Sequence, residues 1–118
     1  MTTLRIMVVE DDMLIGMLLG EMLEAMGHEI CAIERTEDDA VRAADQFHPD
    51  LMIVDAWLED GSGISAVAKI LRNKLIPHLF LTGDVSRMLA IRPDAVVIQK
   101  PFRETDLALG IDRALAAA

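Results

Sequence analysis

Polar groups with chemical capacity stand directly behind apolar runs at four places in this chain. Glu10, Asp11 and Asp12 follow Ile6-Met7-Val8-Val9, and Asp55 follows Leu51-Met52-Ile53-Val54. Thr82 and Gly83 follow Leu79-Phe80-Leu81, and Lys100 follows Val96-Val97-Ile98-Gln99. Crowded carboxylates repel, and each raises the proton affinity of its neighbours. A divalent cation removes that conflict. Mg²⁺ takes hard oxygen ligands, commonly one or two carboxylates, and keeps room for water and phosphate oxygens. Asp11 and Asp55 are the expected direct ligands, with Glu10 acting through water. The backbone carbonyl of Trp57, just after Asp55, is expected to add a further oxygen. Beside a cation, the carboxylate of Asp55 can also be a nucleophile that forms an acyl phosphate. Phosphoryl transfer asks mainly for positioning and charge neutralisation. Lys100 would pair with one phosphoryl oxygen, while Thr82, Gly83 and local N–H groups would bond another.

These groups are far apart in sequence, so a fold must bring them to one rim. Short runs rich in β-branched residues predict strands at Leu4–Val9, Glu29–Glu34, Leu51–Asp55, Leu79–Thr82 and Ala95–Gln99. Helical spacing fills the intervals at Met13–Met26, Glu37–Phe47, Ser62–Arg72 and Arg103–Ala117. Thr36 is a good N-cap and Gly27 a plausible C-cap, while Pro49 and Pro77 close the second and third helical stretches. Asp12 is assigned to N-cap duty rather than to metal ligation. The interval between Thr82 and Ala95 is short, so the fourth helix is expected to be a turn or two near Val85–Ala90. Strands alternating with helices imply an α/β fold, a doubly wound parallel sheet covered on both faces. In such a sheet, ligands bind beyond the carboxyl ends of the strands. All four polar stations lie there.

The 118 residues suit one domain, 1–118, and no Gly/Ser/Pro linker divides them. Aromatics are only 3%, so the core must be aliphatic. The net charge of −9 argues against nucleic acid or an anionic membrane surface as a partner. One cysteine, Cys31, rules out an internal disulfide and a cysteine-based metal cluster. No signal peptide and no uncharged apolar stretch of about 18 residues is present, so a cytoplasmic location is expected.

The chain resembles a response-regulator receiver domain, the phosphorylatable half of two-component signalling. The likeness covers the whole length and rests on "VVEDD", "DLMIVDAWLEDGSG", "LFLTGD" and "QKPF" in that order. It implies a flavodoxin-like five-stranded sheet in the order 2-1-3-4-5 with helices on both faces. Asp55 would be the phosphoacceptor, Glu10 and Asp11 the acidic pair, Thr82 the switch hydroxyl and Lys100 the family lysine, followed by a cis peptide to Pro101. Mg²⁺ would be the cofactor, and a histidine kinase or phosphotransfer protein the phosphoryl source. A downstream protein partner would read the changed surface. The stretch "PHLFLTGD" resembles an atypical receiver subgroup with Thr-Gly after the fourth strand.

Two positions depart from the family pattern. Glu59 stands near the place of a usual Pro, and Val97 stands where an aromatic normally precedes the lysine by three residues. Val97 and the short fourth helix favour the rival reading of a pseudo-receiver, folded and interacting but unphosphorylated. A flavin binder would need a Gly-rich loop and aromatics that are missing here. A phosphohydrolase would need a second Asp where Trp57 stands. The chain is therefore expected not to be an enzyme beyond assisting its own phosphorylation and dephosphorylation. Trp57 either covers the site partly, which would hinder attack by water, or serves only packing, while Asp84 is a candidate to orient that water. Met13, Met17, Met22 and Met26 read as core and helix face, and Cys31 as core. With no effector segment after the last helix, the expected output is protein binding by a monomer or weak dimer, through Leu14, Leu18 and Met22 or the last strand and helix.

Overall fold

In the computed structural model, which describes residues 2–118, the apolar runs become strands and the intervals become helices. Met1, the first residue of the expected domain, lies outside the described residues. The order is β1 (Arg5–Val9), α1 (Met13–Ala25), β2 (Glu29–Glu34), α2 (Glu37–Phe47), β3 (Leu51–Asp55), α3 (Gly63–Leu71), β4 (His78–Thr82), α4 (Val85–Ile91), β5 (Val97–Gln99) and α5 (Glu104–Ala117). The five strands form one sheet in the order β2-β1-β3-β4-β5, and every pairing is parallel. This is the doubly wound topology that the resemblance implies.

Alternation along each strand divides the core in two. Ile6, Val8, Leu51, Ile53, Leu79 and Leu81 pack with Leu19 and Leu23 of α1 and Leu107 and Ile111 of α5. Met7, Val9, Met52, Val54 and Phe80 pack with Ala40 and Ala44 of α2, Val67 and Ile70 of α3 and Met88 of α4. The central strands are buried on both faces, which is why they read as unbroken apolar runs. Side-chain caps start four helices: Asp12, Thr36, Ser62 and Asp84 each accept a backbone N–H from the first turn. Gly27, at φ +94°, follows α1 in the left-handed region that glycine tolerates.

Element bounds differ from expectation by a residue or two. The last strand begins at Val97 rather than Ala95, because Ala95 N–H bonds Arg92 C=O in a turn before Phe80 N–H reaches Val96 C=O. The fourth helix extends one residue further than expected, to Ile91. On α1, only Gly16, Leu19, Gly20 and Leu23 are buried, while Met13 and Met17 are more than half exposed. The helix meets the sheet along its glycine side, where a Cβ on Gly16 would stand 3.3 Å from Ile33. Met13 and Met17 therefore form the helix face of that reading, while Met22 and Met26 pack against the core. Cys31 is partly buried against the α2/α3 side.

Candidate functional site

β3 is the middle strand, and Asp55 is its last residue. Its partner register with Leu81, and the bond from Ala56 N–H to Leu81 C=O, set the β3 end beside the start of the Thr82–Asp84 turn. β1 ends on the other side of β3, which brings Glu10 and Asp11 to the same rim. Lys100 follows β5, and its N–H bonds Thr82 C=O at 2.9 Å. The Lys100–Pro101 peptide is cis.

One carboxylate oxygen each from Glu10, Asp11 and Asp55 lie within 4.8 Å of one another. Lys100 Nζ donates to Glu10 Oε1 at 2.8 Å and to Asp55 Oδ2 at 3.0 Å. Glu10 is 1% exposed and Asp55 6%. Burial, and then the facing Asp55 carboxyl, push the Glu10 carboxyl up to about 7 against the opposing pull of Lys100. Burial pulls the Lys100 ammonium down, but its bonds to Glu10 and Asp55 outweigh that and hold it above the ordinary lysine value. Asp11 is lowered: its desolvation is outweighed by hydrogen bonds from Glu10 and from Glu59 N–H. One ammonium therefore serves a cluster of three acids and leaves it short of positive charge.

The other wall is formed by Thr82, Trp57 and the start of α4. Thr82 is 1% exposed, and its Oγ1 accepts from Trp57 Nε1–H at 3.1 Å and from Asp84 N–H at 3.0 Å. The Trp57 backbone N–H donates to Asp55 Oδ1 at 3.2 Å. Arg87 lies over the indole, its guanidinium carbon 3.9 Å from the ring centroid. Asp84 caps α4, its Oδ1 accepting Arg87 N–H at 3.1 Å. Gly83 is exposed, and a Cβ there would meet nothing, so crowding does not explain a glycine at that position.

The β3–α3 loop is shaped by Gly63 and Glu37, which the sequence did not single out, and by Glu59, which it did. A Cβ on Gly63 would overlap the carbonyl oxygen of Asp55, so only glycine allows α3 to start so close to β3. Glu37, the first residue of α2, accepts from Ser62 N–H at 2.8 Å, Ser65 Oγ–H at 2.8 Å and Lys69 Nζ at 2.6 Å. Those bonds, led by Lys69, lower its carboxyl to about 2. Its own N–H bonds Asp60 C=O at 3.2 Å. Glu59, in place of the usual Pro, donates its N–H to Asp11 Oδ2 at 2.9 Å, which a proline cannot do. Glu37 and Arg87 act across 25 or more residues of sequence, so no local pattern reveals them.

The fold and this rim place the chain in the response regulator receiver domain family, which it matches over residues 6–112. It belongs to that family, the receiver module of two-component signalling. It is 36% identical over 115 residues to the phyllosphere-induced regulator PhyR of Methylorubrum extorquens, covering 94% of this chain and 43% of that protein. It is 34% identical over 116 residues to the transcriptional regulatory protein PdtaR of Mycobacterium tuberculosis, covering 95% of this chain and 57% of that one. The chain thus spans about half the length of these relatives. The solution structure of the PhyR receiver domain of Erythrobacter litoralis superposes with a TM-score of 0.88 at 32% identity, covering 97% of this chain and 91% of that one. No helix among the described residues is long and apolar enough to cross a membrane.

Proposed function

We propose that this receiver accepts a phosphoryl group on the Asp55 carboxylate from a phosphohistidine of a kinase or phosphotransfer protein. Asp55 Oδ attacks phosphorus, the P–N bond breaks, and the imidazole nitrogen leaves with the electron pair. An acyl phosphate remains. The observation that carries this reading is the ion arrangement: Lys100 Nζ bridges Asp55 and Glu10 inside a cluster of three acids that one ammonium cannot neutralise.

The donor set fits Mg²⁺, since Glu10, Asp11 and Asp55 offer hard oxygens within 4.8 Å, and burial beside Asp55 raises the Glu10 carboxyl to about 7 despite Lys100. Asp11, Asp55 and the Trp57 carbonyl would hold the ion, with Glu10 acting through water. When bound, the ion supplies the positive charge that phosphoryl transfer requires. Lys100 neutralises a phosphoryl oxygen. The Thr82 hydroxyl and the Gly83 N–H donate to the transferred group. The product changes the charge of the rim, and a downstream protein partner reads the change. Its setting is the cytoplasm, where the kinase phosphohistidine is formed and the free thiol of Cys31 stays reduced.

Intact-mass measurement after incubation with acetyl phosphate and Mg²⁺ tests this. One added phosphoryl group is expected in the parent protein and none in Asp55→Asn. No added mass in the parent protein under either acetyl phosphate or a phosphorylated kinase sinks the proposal and leaves the pseudo-receiver.

A further inference from the structure

Trp57 makes two contacts that together exceed packing. Its backbone N–H bonds the Asp55 carboxylate, and its indole N–H bonds the Thr82 hydroxyl. A threonine hydroxyl has two acceptor lone pairs and one proton. At Thr82 the indole N–H takes one lone pair and the Asp84 N–H takes the other. The proton is left with a single remaining tetrahedral direction, away from both donors. The buried hydroxyl can therefore act only as a donor with a fixed heading, which suits an anion.

The indole is itself held. Arg87 covers its face in a cation–π contact, and Arg87 N–H bonds the carboxylate of Asp84. The circuit closes: Asp55 to Trp57, Trp57 to Thr82, Thr82 to Asp84, Asp84 to Arg87, and Arg87 back to Trp57. We infer that Trp57 is a positioning residue, which orients the Thr82 hydroxyl as a donor toward the group on Asp55, with Arg87 bracing the indole from α4. The inference rests on the reading of Asp55 given above. A change in the Thr82 bond must then be felt at Trp57 and at the first turn of α4.

Trp57 is the only tryptophan, so its indole N–H gives a single cross-peak in a ¹⁵N-labelled sample. Beryllofluoride with Mg²⁺ is the probe, and its bound ¹⁹F signal reports occupancy of Asp55 independently of Trp57. The indole peak is expected to move on occupancy in the parent protein and in Thr82→Ser, which keeps the hydroxyl, but not in Thr82→Val. Trp57→Phe keeps a ring under Arg87 but loses the N–H. It should slow phosphorylation by acetyl phosphate about fivefold, the worth of one hydrogen bond, without changing the Mg²⁺ concentration needed for half-maximal rate. An unmoved indole peak beside a bound ¹⁹F signal overturns the inference and leaves the Asp55 reading standing. So does a Trp57→Phe rate equal to the parent's. Absence of any bound ¹⁹F signal in the parent overturns both.

Discussion

Two glutamates in this molecule each hold a lysine, and they are pushed in opposite directions. Glu10 bonds Lys100 at 2.8 Å and is raised to about 7. Glu37 bonds Lys69 at 2.6 Å and is lowered to about 2. The ion pair alone does not decide the outcome; the remaining partners do. Glu10 is buried against Asp55 and shares its lysine with it. Glu37 has its lysine undivided and adds two hydrogen-bond donors, Ser62 N–H and Ser65 Oγ–H. One region is left with an unmet demand for positive charge. The other is satisfied and acts as a clasp between α2 and the loop behind Asp55. The candidate metal site and the structural brace thus differ in how much they leave unpaired.

The largest expected effect separates the two lysines. Lys100→Met leaves Glu10 and Asp55 facing each other without a cation, and removing one partner of a buried pair costs about 3 kcal/mol or more. Lys69→Met removes an exposed ammonium whose partner keeps two other donors, so its loss should be clearly smaller. Urea unfolding of both variants at pH 8 in chelator measures this, and equal losses would break the comparison.

The fold was largely legible because buried parallel strands advertise themselves as unbroken apolar runs, as at Leu51–Val54. Asp55 was legible for the same reason, being the first polar group after such a run, and Lys100 stands one residue beyond the Gln99 that ends another. Which side of α1 packs was only partly legible, because an apolar residue looks the same in sequence whether it faces the sheet or solvent, and Leu14 and Leu18, offered as an outward face, are exposed. Only Gly16 and Gly20, four residues apart, mark the side that packs. Glu37 was invisible in a different way. In sequence it is one of three acids opening a helix, a pattern explained by the helix dipole. Its bonds to Ser62 and Ser65 exist only once α3 lies beside α2.

A smaller effect is the pH dependence of stability in chelator, where the two glutamates should give limbs of opposite slope. Glu37, lowered from 4.5 to about 2, contributes stability that is present above pH 4.5 and lost as pH falls toward 2. Glu10, raised from 4.5 to about 7, holds a proton in the folded state that the unfolded chain has released. Its contribution is fully present below pH 4.5 and lost as pH rises through 7. Glu37→Gln should flatten the acid limb and Glu10→Gln the neutral limb. Mg²⁺ should offset the neutral loss only. A neutral limb that persists in Glu10→Gln would show that other groups carry it.

The smallest effect sharpens the clasp itself. Ser65→Ala deletes one donor to Glu37 and leaves Ser62 N–H and Lys69 in place. The expected loss is about 1 kcal/mol, typical of one hydrogen bond. The midpoint of the acid limb should move up, because the Glu37 carboxylate has lost one of the bonds that favour its charged form. The Mg²⁺ response should stay as in the parent protein, since no acid of the rim is touched. If the Mg²⁺ response weakens as well, the clasp does more than hold α2 to α3. It then sets the β3–α3 loop, which begins at Ala56 and Trp57 and is pinned at Ser62, in the position that the rim requires.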